Sequence, residues 1–121
     1  MKVLVVDDSP GIRARLVSLL RETPGLSTAE VSGADEAVEH VRAHGADAVV
    51  LDIHMPGKSG LDVLPDLKAH QPSPLVIVLT SHPTELHRRL CLERGADYFF
   101  DKAREFARVV EVLTSPTPAG A

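Results

Sequence analysis

A single cysteine, Cys91, stands in the 121 residues, so no disulfide can form within the chain. The simplest reading is a reducing compartment. A lone cysteine can serve as a nucleophile, but Cys91 lies in "ELHRRLCLERG", a helical pattern, and reads as a core or surface thiol. An excess of basic residues is also missing. Thirteen Lys+Arg face 17 Asp+Glu, for a formal net charge of −4. No stretch is both basic and aromatic, which argues against a dedicated nucleic-acid binder. Long apolar runs are absent too, and those present have the length of strands rather than of membrane spans. "MKVLVVDD" does not read as a signal peptide, because its apolar part stops at an acidic pair. The expectation is a soluble, cytoplasmic protein with no membrane insertion. Its length suits one domain, large enough to bury a core without staples.

What the sequence does have is alternation. Short apolar runs at Val3–Val6, Thr28–Val31 (weaker), Ala48–Leu51, Leu75–Leu79 and Tyr98–Phe100 are separated by amphipathic segments. Val3-Leu4-Val5-Val6 is continuous rather than alternating, as in a strand covered on both faces. Ile12, Leu16, Leu19 and Leu20 form a helical stripe ending near Pro24-Gly25. Ala34, Ala37, Val38 and Val41 form a second, stopped by Gly45. Ser59 opens a third helix with Asp62 as a capping-box partner, and Pro65 inside it predicts a kink or an irregular first turn. Leu86, Leu90 and Cys91 mark the fourth helix, and Phe106, Val109, Val110 and Leu113 the fifth. Five β-α units with short links imply an α/β fold. Its sheet is expected to be parallel, five-stranded and doubly wound, in the order 2-1-3-4-5. The domain is expected over residues 1–114, with 115–121 ("SPTPAGA") a frayed tail or cut linker.

Such sheets carry their functional groups at the carboxyl ends of the strands. Asp7 and Asp8 follow the first strand, Asp52 the third, Thr80 the fourth and Lys102 the fifth. Adjacent carboxylates at the end of a buried strand repel each other and resist desolvation, so something must offset the cost. Strands one and three are neighbours in the expected order, which brings three carboxylates together. Hard oxygen ligands in an incomplete cage suit Mg²⁺, which keeps waters and leaves space for a phosphate. Lys102 and the Thr80 hydroxyl would serve an anion beside the metal. Each residue taken singly is an ordinary turn former, helix cap or surface group. Gathered at one edge, they read as a site.

The segments "VLVVDDSP", "VVLDIHMPGKSG", "VIVLTSH" and "GADYFFDK" resemble, in order and spacing, the receiver (CheY-like) domain of two-component response regulators. The resemblance extends to about Leu113. It implies that Asp52 accepts a phosphoryl group from a sensor histidine kinase or a histidine phosphotransfer protein. It also implies Mg²⁺ ligation by Asp8, Asp52 and the His54 backbone carbonyl, with Asp7 acting mainly through water. Thr80 and Lys102 would bind phosphoryl oxygens, and Phe99 would turn inward as Thr80 moves toward the phosphate. His54 and His82 occupy positions that, in this family, influence how fast the phosphoryl group is lost to water. His40 and His44, four apart on a helix, read as surface. One departure stands out: Ala103 follows Lys102 where the family usually has proline, often with a cis bond, and a cis bond to alanine costs about 3 kcal/mol.

The expected function is that of a phosphoacceptor relay with no enzymatic activity beyond its own phosphorylation and dephosphorylation. It would switch a surface for an unknown output protein, as a monomer or weak dimer, working alone or as an excised domain. A haloacid-dehalogenase-like phosphatase is an alternative, although that family needs a carboxylate two residues after the nucleophile, where this chain has His54. An unphosphorylated receiver-like scaffold is another.

Overall fold

The computed structural model describes residues 1–55 and 57–114; Pro56 and the expected tail at 115–121 lie outside the described residues. In chain order the elements are β1 (Lys2–Val6), α1 (Pro10–Arg21), β2 (Ser27–Val31), α2 (Ala34–His44) and β3 (Ala48–Leu51). They continue with α3 (Gly60–Ala69), β4 (Leu75–Thr80), α4 (Glu85–Glu93), β5 (Tyr98–Asp101) and α5 (Arg108–Thr114). All pairings are parallel and the sheet order is β2-β1-β3-β4-β5, as the alternation implies.

The continuous apolar strands are explained by two cores, one on each side of the sheet. Successive side chains point to opposite faces. Leu4, Val6, Val49, Leu51, Val76 and Val78 pack against α2, α3 and Cys91 of α4. Val3, Val5, Val50, Ile77 and Leu79 pack against Leu16, Val17 and Leu20 of α1 and Val109 and Leu113 of α5. Alternation therefore persists, but both faces are apolar, so it is invisible as a hydropathy pattern.

Local signals set the helix boundaries. Ser9 caps α1, accepting from the Ile12 N–H at 3.4 Å, and Pro10 fills the first helical position, where no N–H is needed. Gly45 ends α2 at φ 72°, in the left-handed region. Ser59 and Asp62 form the expected capping box at α3.

Three local features qualify the expectations. First, α3 continues through Pro65 as one helix. Proline removes the N–H that would reach the Leu61 carbonyl, and Arg94 Nη1 donates to that carbonyl instead, at 3.0 Å. Second, Leu86 does not belong to the core face of α4. It is 54 % exposed, and Cys91 is the only buried residue of that helix. Third, Phe106 is buried but precedes α5, in the turn that leads from β5.

Candidate functional site

The sheet brings Asp7 and Asp52 to adjacent strand ends. The Asp52 N–H continues the β1·β3 ladder by donating to the Val6 carbonyl at 3.0 Å, and the Asp7 N–H reaches the Val31 carbonyl at 3.3 Å. Backbone pairing thus fixes both residues before their side chains are considered. Asp7 and Asp52 are buried, at 2 % and 5 % exposure, whereas Asp8 is exposed. One carboxylate oxygen from each of Asp7, Asp8 and Asp52 lies within 4.8 Å of the others.

The cost of this crowding is met from the far edge of the sheet. Lys102 Nζ lies 2.8 Å from Asp7 Oδ2 and 3.5 Å from Asp52 Oδ2. Other donors hold the carboxylates in place. The Ser9 N–H donates to Asp7 Oδ1 at 2.8 Å, and the His54 N–H donates to Asp52 Oδ1 at 3.1 Å. Arg13 Nη1 donates to the Asp7 backbone carbonyl at 2.6 Å, and its Nε pairs with Glu30 at 3.1 Å. Burial pushes the Asp52 carboxyl above its usual range, against the opposing pull of the His54 N–H and Lys102. The donor set fits a hard divalent cation: three carboxylates gathered at one edge, with Asp8 open to water.

Gly60 sits behind Asp52. A Cβ built there would come within 2.4 Å of the Asp52 carbonyl oxygen, so α3 can begin this close to β3 only through a glycine. Thr80 is fully buried, and its Oγ1 accepts from the His82 N–H at 3.1 Å. Phe99, expected to turn inward on activation, is already inside, at 8 % exposure in the cluster that contains Cys91 and Val78. No cis bond occurs at Lys102-Ala103. The turn closes by ordinary hydrogen bonds: the Ala103 N–H donates to Asp101 Oδ1 at 2.9 Å and the Lys102 N–H to the Thr80 carbonyl at 2.8 Å.

The family model of the response regulator receiver domain matches residues 3–114. The chain belongs to that family. The receiver is 35 % identical over 117 residues to the sensory/regulatory protein RpfC of Xanthomonas campestris, covering 93 % of this chain and 16 % of that protein. It is 39 % identical over 115 residues to the sensory transduction protein RegX3 of Mycobacterium tuberculosis, covering 92 % of this chain and 50 % of that one. The chain therefore spans half or less of the length of these relatives. Among solved structures it is similar to the response regulator TrrA of Thermotoga maritima in complex with Mg²⁺-BeF, with a TM-score of 0.80 and 31 % identity. That match covers 93 % of this chain and 95 % of TrrA. The response regulator domain of Thermotoga maritima CheB gives a TM-score of 0.80 and 26 % identity, covering 93 % of this chain and 90 % of that one. The receiver is a phosphoacceptor module of two-component signalling. No helix among the described residues is long and apolar enough to cross a membrane.

Some of the receiver's site was not legible in sequence. Arg13 lies one turn into α1, where a lone arginine looks like surface, yet it ties the Asp7 backbone to β2 through Glu30. His87 also joins the site's rim, since its ring centre lies 4.9 Å from that of His54. Partial burial, followed by His87 and His82, lowers the His54 pKa from its ordinary value.

Proposed function

We propose that Asp52 is the phosphoacceptor of this receiver. The observation that carries the proposal is the Lys102 ammonium shared between Asp7 and Asp52, at 2.8 and 3.5 Å. A cation poised between a nucleophile and its neighbour can turn to an incoming phosphoryl oxygen without leaving either carboxylate bare. Asp52 Oδ1 is held by the His54 N–H. This leaves Oδ2, on the Lys102 side, to attack phosphorus: an O–P bond forms and the P–N bond of the donor phosphohistidine breaks.

Asp8, Asp52 and the His54 carbonyl would hold Mg²⁺, with Asp7 acting through water, and the ion would neutralise charge on the transferring group. Thr80 has an O–H to donate to a phosphoryl oxygen while its oxygen keeps the His82 N–H. Phe99 is already packed beneath α4, so a shift at Thr80 would reach α4 through contacts that exist before phosphorylation. The donor would be a sensor histidine kinase or a phosphotransfer protein, and the reader an output protein that binds the altered surface. The domain would catalyse only its own phosphorylation and dephosphorylation.

Incubation with acetyl phosphate and Mg²⁺, followed by intact-mass measurement, tests this reading. One labile phosphoryl group per chain is expected, absent from Asp52→Asn. Continuous turnover of the donor without a labelled chain would indicate a phosphatase. No reaction would indicate a scaffold. Either result rejects the assignment of Asp52.

A further inference from the structure

The chain leaves the sheet at Asp7, and its backbone there is held twice from the same side. Within a strand the N–H and C=O of one residue point toward the same neighbouring strand. The Asp7 N–H donates to the Val31 carbonyl of β2 at 3.3 Å. β2 ends at Val31, so no further strand residue meets the Asp7 carbonyl. Arg13 Nη1 meets it instead, at 2.6 Å, while Arg13 Nε pairs with Glu30 of β2 at 3.1 Å. One side chain from α1, only 17 % exposed, thus extends the β1·β2 ladder by one residue.

The Asp7 carbonyl shares a rigid plane with the Asp8 N–H, because a peptide bond resists twisting. Holding that oxygen fixes the direction in which Asp8 leaves the strand. Asp8 has few other restraints. Lys102 and the N–H groups of Ser9 and His54 hold the carboxylates of Asp7 and Asp52, and none of them holds Asp8, which is exposed. An oxygen of Asp8 nevertheless lies within 4.8 Å of the other two carboxylates. Mg²⁺ demands near-ideal octahedral geometry at about 2.0–2.1 Å, so a small turn of this peptide is enough to spoil a ligand.

We propose, on the reading that this pocket takes Mg²⁺ beside the phosphoacceptor Asp52, that Arg13, anchored on Glu30, is a positioning residue that sets Mg²⁺ affinity by holding the Asp7–Asp8 peptide. The base of the arginine is itself fixed. Its N–H donates to the Ser9 carbonyl at 3.0 Å, and the Ser9 hydroxyl caps the same first turn of α1 through the Ile12 N–H. A guanidinium has donors in several fixed directions and can bridge Glu30 to the carbonyl, whereas a lysine ammonium is a point charge on a flexible stem. A pure charge effect has the opposite sign. A cation beside the pocket repels Mg²⁺, so removing it would tighten binding.

Mn²⁺, which takes the same oxygen ligands as Mg²⁺, is the probe. Electron paramagnetic resonance counts the free ion during a titration, and excess Mg²⁺ should release what is bound. Arg13→Lys and Arg13→Gln should each bind Mn²⁺ about tenfold more weakly than the wild type, since loss of an outer-shell partner costs about 10–100-fold. Glu30→Ala, which keeps the guanidinium and removes its anchor, should weaken binding less. That variant changes a more exposed side chain and tests the same contact if an Arg13 variant does not fold. Arg15→Gln, on the same helix but stacked on Phe106 at 4.2 Å, should bind as the wild type does. Labelling of Arg13→Lys by acetyl phosphate should regain the wild-type rate when Mg²⁺ is raised about tenfold, in step with the affinity loss. Wild-type Mn²⁺ affinity in folded Arg13→Lys or in Glu30→Ala, tighter binding in Arg13→Gln, or a labelling defect that saturating Mg²⁺ does not repair would each overturn the proposal. A wild type that binds Mn²⁺ but takes no phosphoryl group would reject Asp52 as acceptor instead, because the titration reads the metal alone.

Discussion

Lys102 Nζ lies 2.8 Å from Asp7 Oδ2, across a sequence separation of 95 residues, and both side chains are almost wholly buried. Lys102→Ala leaves Asp7 and Asp52 crowded without a counter-charge. The expected loss, read from urea denaturation without metal, is up to about 3–5 kcal/mol, as when one partner of a buried pair is removed. Added Mg²⁺ should restore part of it. A variant as stable as the wild type in the absence of metal would show that the ammonium does not hold this cluster together.

Asp52→Asn should behave in the opposite way. Burial raises the Asp52 pKa in the folded state, so the folded chain binds that proton more tightly than the unfolded chain does. Stability is then lost as the pH rises from the unfolded carboxylate range through the folded value. Above that window the ionised group is a cost. Asparagine removes the cost and keeps an oxygen for the His54 N–H. The variant should melt higher than the wild type at neutral pH without metal, and the gap should close as the pH falls through the carboxylate range. Thermal melts across pH check this, and a lower melting temperature at neutral pH would contradict it.

Gly60→Ala places a methyl group 2.4 Å from the Asp52 carbonyl oxygen and 3.0 Å from the Ile53 Cα. Neither backbone atom can move aside without moving Asp52. The substitution should cost about 1–3 kcal/mol or more. It should also slow labelling by acetyl phosphate, which Ser59→Ala, a capping loss of about 1 kcal/mol, should leave less affected.

Arg94 and Pro65 should prove coupled. Arg94→Ala leaves the Leu61 carbonyl without its donor and should cost about 0.5–1.5 kcal/mol. In a Pro65→Ala background the helix supplies its own N–H to that carbonyl, and the same substitution should cost close to nothing. A double-mutant cycle measures the difference. Additive costs would mean that the guanidinium acts elsewhere.

The sheet order and the strand-end residues were legible in sequence because each depends on local runs and on one topological rule. Val3–Val6 and Leu75–Leu79 are apolar at successive positions, and a parallel sheet gathers at one edge whatever follows each strand. What escaped depends on pairs that only the fold brings together. Nothing near Pro65 signals that an arginine after α4 will answer its missing hydrogen bond. Nothing near His54 signals that His87 stands beside it. The weak packing of α4 was hidden as well, since Leu86 and Leu90 keep helical spacing although Leu86 faces water.

That helix carries its own gauge. Cys91 is the only thiol in the chain, it is fully buried, and burial pushes its pKa up to about 11. A thiol so held reacts with an alkylating reagent only while α4 lifts from the sheet. The rate of labelling at this single sulfur therefore times the opening of α4. It does so without an introduced cysteine, and the same mass measurement that counts the alkyl group would count a phosphoryl group.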